Sequence, residues 1–278
     1  MTYGIHLRRT LLMAALAGSA LLGLFADRAQ AQEQPDPNAV GAVDVLQVNG
    51  LFDDIVVDAI ETAIDKAAAD GSQALVLQVD SRGAVASQES MVDLLRQVDA
   101  SPVPVAVWVG PTGAQLYGSP AQLLAVADVT GMAPGASVGN VGRAISDEFP
   151  LPASLRGLEE RSVGLSEARE LGVFQQRIPD EGIATIRNMV AALDGYEFTA
   201  PDGSTVTLRT TTDEVTDSGT VQQTTIATTR FSKLGLLDQL FHTVASPEVA
   251  YLMLLTGLAL LIFEFFTAGV GLVGVIGA

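Results

Sequence analysis

The stretch ALVLQVDSRGAVASQESMVDLLRQVDASPVPVAVWVG, Ala74–Gly110, decides the fold. Its first seven residues are almost continuously apolar, as in a strand covered on both faces. From Ser87 to Val98, Met91, Val92, Leu94, Leu95 and Val98 recur at helical spacing. PVAVWVG, residues 104–110, is a second apolar run rich in β-branched side chains. A strand, an amphipathic helix and a strand form a crossover unit whose strands lie parallel.

The same alternation extends outward. Upstream, AVDVLQV is a strand that ends at Asn49-Gly50. Phe52 to Asp70 follows as a helix, with Ile55, Val56, Ala59, Ile60, Ala63, Ile64 and Ala67 on one face and Gly71 closing it. Downstream, GAQLYGSPAQLLAVA (113–127) predicts a third helix and ADVTGMAP a fourth short strand. The fold class is therefore α/β, a repeated β-α-β domain over residues 42–195. Within it Arg143–Arg161 carries two prolines and reads as an exposed loop, while Leu165–Leu171 and Asp180–Leu193 read as helices. Residues 196–246 form a second region. Tyr196–Thr229 is threonine-rich, with Asp202-Gly203 as a turn signal, which predicts a small β-hairpin. Leu234–Val244 reads as a short amphipathic segment at a membrane surface.

Both ends are apolar. Arg8 and Arg9 precede an apolar run to Phe25, and Ala29-Gln30-Ala31 offers small residues where a signal peptidase reads. Residues 1–31 are thus expected to be a signal peptide and 32–41 a flexible lead-in. At the other end, 247–278 reads as a transmembrane segment, since Val249 to about Thr267 supplies the roughly 20 apolar residues a span needs. Its one ionisable residue, Glu264, is costly against lipid and is placed near the interface. Glycines 269, 271, 274 and 277 suggest a break, a re-entrant turn or a second helix. An export signal followed by a stop-transfer segment places the α/β domain outside the cytoplasm, anchored to the cell membrane.

Charge and composition exclude several functions. With 32 acidic against 15 basic residues, the net charge of −17 repels phosphate backbones, so nucleic acid is not an expected partner. The absence of cysteine removes disulfides, thiolate metal sites and cysteine nucleophiles. No dinucleotide fingerprint, phosphate-cradling loop or metal-ligand cluster is present, and no cofactor or metal is expected.

PVAVWVGPTGAQLYGSPAQLLAVADVTGMAPGASVGN, with the apolar, glycine-rich segment after it, resembles the Clp-protease-like domain of the NfeD family of membrane-bound serine proteases. That family is related to signal peptide peptidase A and to the crotonase-like superfamily. The resemblance runs from about Val43 to the C-terminus. It implies partners of the stomatin/flotillin kind, a homo-oligomer, and three catalytic elements.

The first element is a Asp-Thr-Pro-Gly-Gly turn whose amides form an oxyanion hole. Here it reads Asp80-Ser81-Arg82-Gly83-Ala84, so Gly83 and Ala84 would supply the donors. The second is a serine nucleophile. An ungapped match from Gly113-Ala114 puts Gly118 at that position and Ser119 one residue late, a turn of about 100° on a helix. Ser119 is then either a nucleophile reached by a local shift or, being followed by Pro120, the cap of a helix. The third is a lysine base some four dozen residues downstream. The chain has no lysine between Lys66 and Lys233, and His6 and His242 lie near the ends. The 143–161 loop offers carboxylates such as Asp147, Glu159 and Glu160 instead. Arginine stays protonated and cannot serve. The expected function is a membrane-anchored, protease-like domain that is catalytically inactive and acts in binding or scaffolding. The alternative is an active serine endopeptidase using Ser119 with a non-lysine base. An acyl-CoA enzyme is disfavoured by the export signal.

Overall fold

A computed structural model of the chain describes residues 41–174, 181–215, 221–233 and 247–267. The expected signal peptide, the lead-in up to residue 40 and Leu234–Val244 lie outside these residues.

The five strands of the main sheet are β1 (Val43–Asn49), β2 (Ala74–Asp80), β3 (Val105–Val109), β5 (Val129–Met132) and β12 (Thr229–Lys233). They lie in the order β12-β1-β2-β3-β5, and every pair is parallel. Parallel strands need crossovers, and two helices supply them: α1 (Asp54–Ala69) and α2 (Gln88–Asp99). Each starts where a side chain can take up a free amide. Asp53 accepts from the Val56 N–H at 2.9 Å, and Ser87 accepts from Ser90 at 3.0 Å. Val56, Val57, Ile60 and Ile64 of α1 and Met91, Leu94, Leu95 and Val98 of α2 are buried with the strands. All five residues of β3 are buried, which accounts for its unbroken apolar run.

The third helix expected over 113–127 is instead two elements. Gln115–Tyr117 is strand β4, and Ser119–Ala125 is a 3₁₀ helix. β4 pairs in parallel with β6 (Ser137–Gly139), and β6 pairs antiparallel with β7 (Ser162–Gly164). A backbone bridge from Ser81 to Leu116 joins this small sheet to the end of β2. The 143–161 stretch is more ordered than a loop. It contains α3 (Ala153–Arg156) and buries Leu151, Leu155 and Leu158. The two later helices are α4 (Leu165–Glu170) and α5 (Ile186–Ala192).

Two hairpins follow. β8 (Glu197–Thr199) and β9 (Thr205–Thr207) close over the anticipated turn, where Gly203 has φ +85° and Asp202 accepts from the Ser204 N–H at 2.8 Å. β10 (Thr211–Val215) and β11 (Val221–Thr225) form the second. Asp194 ties down its base, accepting from the amides of Thr210 at 2.7 Å and Thr211 at 2.9 Å. Partial burial works against the Asp194 carboxylate, yet these bonds hold its pKa below the usual aspartate range. A depressed carboxyl pKa contributes stability above the unfolded value and loses it as pH falls through the folded value. Hydrogen-exchange protection of Thr210 and Thr211, corrected for intrinsic rates, should therefore fall with acidification below the usual aspartate range. It should be independent of pH there in Asp194→Asn; an unchanged acid response in that variant would refute the assignment.

β12 returns to the start of the sheet and is held there by charge as well as by its ladder. Arg230 donates to both oxygens of Asp44, at 2.6 and 3.0 Å, and to Ser72 Oγ at 2.6 Å. Beyond it lies α6 (Pro247–Thr267). Its 21 residues extend about 30 Å, the thickness of a hydrocarbon core. Among the described residues this is the one helix long and apolar enough to cross a membrane, with a mean hydropathy of 2.2 over Val249–Phe266 and none of that window buried. Glu264, near its end, has one carboxylate oxygen shielded from solvent without a partner among the described residues.

Candidate functional site

The elements matched to catalysis meet at the carboxyl ends of β2 and β3, where parallel α/β sheets place their ligand crevices. β2 ends at Asp80, and the turn Ser81–Ala86 follows. Ser81 is buried and closes this turn, its hydroxyl donating to the Gly83 carbonyl at 3.0 Å. One side of the turn is occupied by the backbone of Phe52. Phe52 N–H donates to Gly83 O at 2.9 Å, and Val85 and Ala86 donate to Phe52 O. Residues alternate sides along such an edge, so Ala84 faces the other way. The Ala84 amide has no hydrogen-bond partner among the described residues, and that of Gly83 meets only Ser81 Oγ, at a long 3.4 Å. The Ala84 donor therefore remains for an incoming group. Val85 beside it is an exposed apolar side chain.

β4 lies against this turn. Ser81 N–H donates to Gln115 O at 2.6 Å, Tyr117 N–H to Ser81 O at 3.0 Å, and Gln115 N–H to Asp80 Oδ1 at 2.9 Å. The strand delivers Gly118 directly over the turn. A Cβ built on Gly118 would stand 3.1 Å from Gly83 Cα. Gly118 adopts φ +72°, ψ −157°, a conformation essentially confined to glycine. Its N–H donates to Asn140 O at 3.2 Å, and Asn140 is itself left-handed at φ +49°. Tyr117 and Ser137 share a hydroxyl–hydroxyl hydrogen bond of 2.6 Å beside it.

Ser119 is the first residue of the 3₁₀ helix rather than its cap. Gly118 holds the cap position, and no side-chain cap bond is made. The cap reading of Ser119 fails because the positive φ of Gly118 starts the helix one residue earlier than the Ser-Pro pair suggests. The half-buried Ser119 makes no side-chain hydrogen bond among the described residues, to a base or to anything else. Its own N–H, at the first helical position, has no intrahelical acceptor.

The segment expected to carry a base packs alongside. Val141 N–H donates to Leu158 O, Gly142 N–H to Glu159 O, and Asn140 N–H to Arg161 O. Asp147, Glu159 and Glu160 are exposed, and among the described residues none of their carboxylates accepts a hydrogen bond from the site. Lys66 is also exposed and is engaged with Asp70 at 2.8 Å. Asp128 has a structural place. Burial pushes its carboxyl above the usual range, and it accepts from the Val105 N–H at 2.8 Å. No group of three His, Cys, Asp or Glu side chains able to hold a metal occurs among the described residues.

Gln122 was not anticipated. It is 1% exposed, and its side chain makes three bonds to the next loop. The amide nitrogen donates to Val141 O at 3.0 Å and Arg143 O at 2.8 Å, and Oε1 accepts from Ile145 N–H at 3.2 Å. A lone glutamine among apolar residues in AQLLA is the signal that could have found it.

No family model matches the chain. In sequence it is similar to a membrane-bound protease of Pyrococcus horikoshii, 23% identical over 256 residues that cover 83% of this chain and 54% of that protein. The chain spans about half the length of that curated relative. A solved membrane protease from the same organism, specific for a stomatin homolog, superposes with a TM-score of 0.56 at 21% identity, covering 75% of this chain and all of that one. A variant of a membrane-bound stomatin-specific protease in complex with a substrate peptide also gives 0.56, at 19% identity over 74% of this chain and 98% of that one. The α/β fold expected from the sequence, Clp-protease-like with a parallel sheet, is the fold these proteases share with it.

Proposed function

We propose that this chain is a membrane-anchored, extracytoplasmic member of the NfeD type whose protease-like domain binds peptide segments without cutting them. Its partners would be membrane proteins of the stomatin/flotillin kind, and it would act as a homo-oligomer. One observation carries this reading. The residue that stands over the Gly83–Ala84 turn is Gly118, in a conformation a serine cannot adopt without strain of about 1–3 kcal/mol. The sequence adds the absence of any lysine between Lys66 and Lys233. Losing either nucleophile or base typically removes several powers of ten in rate. The Ala84 amide keeps its value as a donor to a peptide backbone, and the exposed Val85 adds an apolar contact.

The second reading is a serine endopeptidase using Ser119 with a carboxylate base. The Ser119 hydroxyl, without a hydrogen-bond partner among the described residues, is the observation in its favour. Incubation of the full chain in detergent with a fluorophosphonate probe separates the two. The binding reading expects no labelling of the wild type, of Ser119→Ala or of Gly118→Ser, since none of them has a base beside the hydroxyl. Labelling of the wild type that disappears in Ser119→Ala would establish the peptidase instead.

A further inference from the structure

We propose that the site selects peptides by their free C-terminal carboxylate, with Arg82 and Arg143 as its positive rim. The inference rests on the peptide-binding reading above and specifies the ligand end that the site holds.

The chain is strongly acidic, yet two arginines at this place lack an acidic partner. Arg82 occupies the tip of the Ser81–Ala86 turn, one residue before the Gly83 amide. It is exposed and forms no ion pair among the described residues. Arg143 is also exposed and unpaired there, and its backbone is fastened by Gln122, three residues along the 3₁₀ helix from Ser119. Arg96, Arg161 and Arg230, by contrast, are each engaged with carboxylates. The nearest acidic residue in sequence, Asp80, is turned toward the amide of Gln115. The positive charge at the tip is therefore available to a ligand.

The charge at the turn tip favours a chain end over a chain middle. A strand laid antiparallel to residues 83–86 would pair through the outward-facing groups of Ala84 and arrive at Gly83 with its last residue. Arg82 lies immediately beyond. A terminal carboxylate has two oxygens where an internal residue has one carbonyl, and it needs more room. Glycine at 118 keeps a side chain off the turn, since a Cβ there would stand 3.1 Å from Gly83 Cα. One carboxylate oxygen can then accept from the Ala84 amide while the other faces guanidinium, the arrangement in which charge-assisted hydrogen bonds are strongest.

The test uses the full chain in detergent micelles and fluorescein-labelled decapeptides of mixed sequence, each made as a free acid and as a C-terminal amide. Fluorescence polarisation should show the acids binding about tenfold or more tightly than their amides, the loss expected for one charged hydrogen bond. Arg82→Ala should bind acids and amides alike, Arg82→Lys should keep part of the preference, and Arg143→Ala should reduce it. Arg82 is exposed and its side chain makes no hydrogen bond or ion pair among the described residues, so a folding defect is not expected. Equal binding of acids and amides by the wild type, or an undiminished preference in Arg82→Ala, would overturn the carboxylate inference while leaving the peptide groove standing. No binding of any peptide would overturn both. Inorganic phosphate displacing the acid peptides far better than acetate at equal ionic strength would assign the rim to phosphate and also overturn the proposal.

Discussion

Gly139→Ala is expected to destabilise the protein by about 3 kcal/mol or more and to open the small sheet beside the site. Gly139 lies at φ +150°, and a Cβ there would run into the carbonyl oxygen of Arg161 and Cα of Ser162. Both obstacles are backbone of the neighbouring strand, so no side chain can rotate away. β7 would have to separate from β6, with loss of the Asn140 N–H to Arg161 O bond. Asn140 also accepts from Gly118, so the damage would reach the residue over the Gly83–Ala84 turn. Gly157→Ala is the control. That residue has φ −71° and open space around its Cβ position, and its substitution should be close to neutral. Chemical denaturation with hydrogen exchange across residues 160–164 would measure both. A Gly139→Ala variant as stable as Gly157→Ala would show that the close approach of the two strands is not required.

Which parts of this molecule the sequence reveals follows from how local their causes are. The strand–helix–strand unit from Ala74 is legible because continuous burial on two faces leaves a continuous apolar run, and Ser87 announces its helix by capping it. The Asp202-Gly203 hairpin is legible because the turn residues carry their own conformational preference. β4 is not legible. Three residues, Gln-Leu-Tyr, become a strand because Ser81 and β6 supply backbone partners from distant parts of the chain. The same non-local cause misled the reading of Ser119. Ser-Pro is a sound helix-start signal, but Gly118, held left-handed between Gly83 and Asn140, takes the cap position first. In the 143–161 stretch, Leu151, Leu155 and Leu158 carry helical spacing, and the neighbouring prolines hid it. The turn at Asp80–Ala84 was found through its motif. The ungapped match puts Gly118 at the nucleophile position; its left-handed backbone and its close approach to Gly83 required the fold.

Gln122→Leu is expected to release the loop that carries Arg143, at a cost of about 2–4 kcal/mol. The side chain is buried, and leucine fills similar space, so packing alone would predict a small effect. The hydrogen bonds decide otherwise. Removing the amide leaves the carbonyls of Val141 and Arg143 and the N–H of Ile145 without their partners, and the buried ones among them lose solvation as well. The outer part of the loop is fastened differently. Arg96 holds Glu148 with bonds of 3.1 and 2.8 Å, and Gln88 reaches Ile145 O at 2.6 Å, all on exposed side chains. Exposed ion pairs contribute less than about 1 kcal/mol and weaken with salt. Exchange of the Ile145 amide should therefore accelerate about tenfold or more in Gln122→Leu and only slightly in Arg96→Ala, with added salt affecting the second contact alone. If Arg96→Ala freed residues 141–145 more than Gln122→Leu did, the loop would be a salt-held flap instead of a fixed wall. Arg143 would then reach the site only part of the time. A wall anchored by a buried amide keeps the Arg143 backbone in place before any ligand arrives, so a carboxylate has only the side chain to order on binding and not the loop.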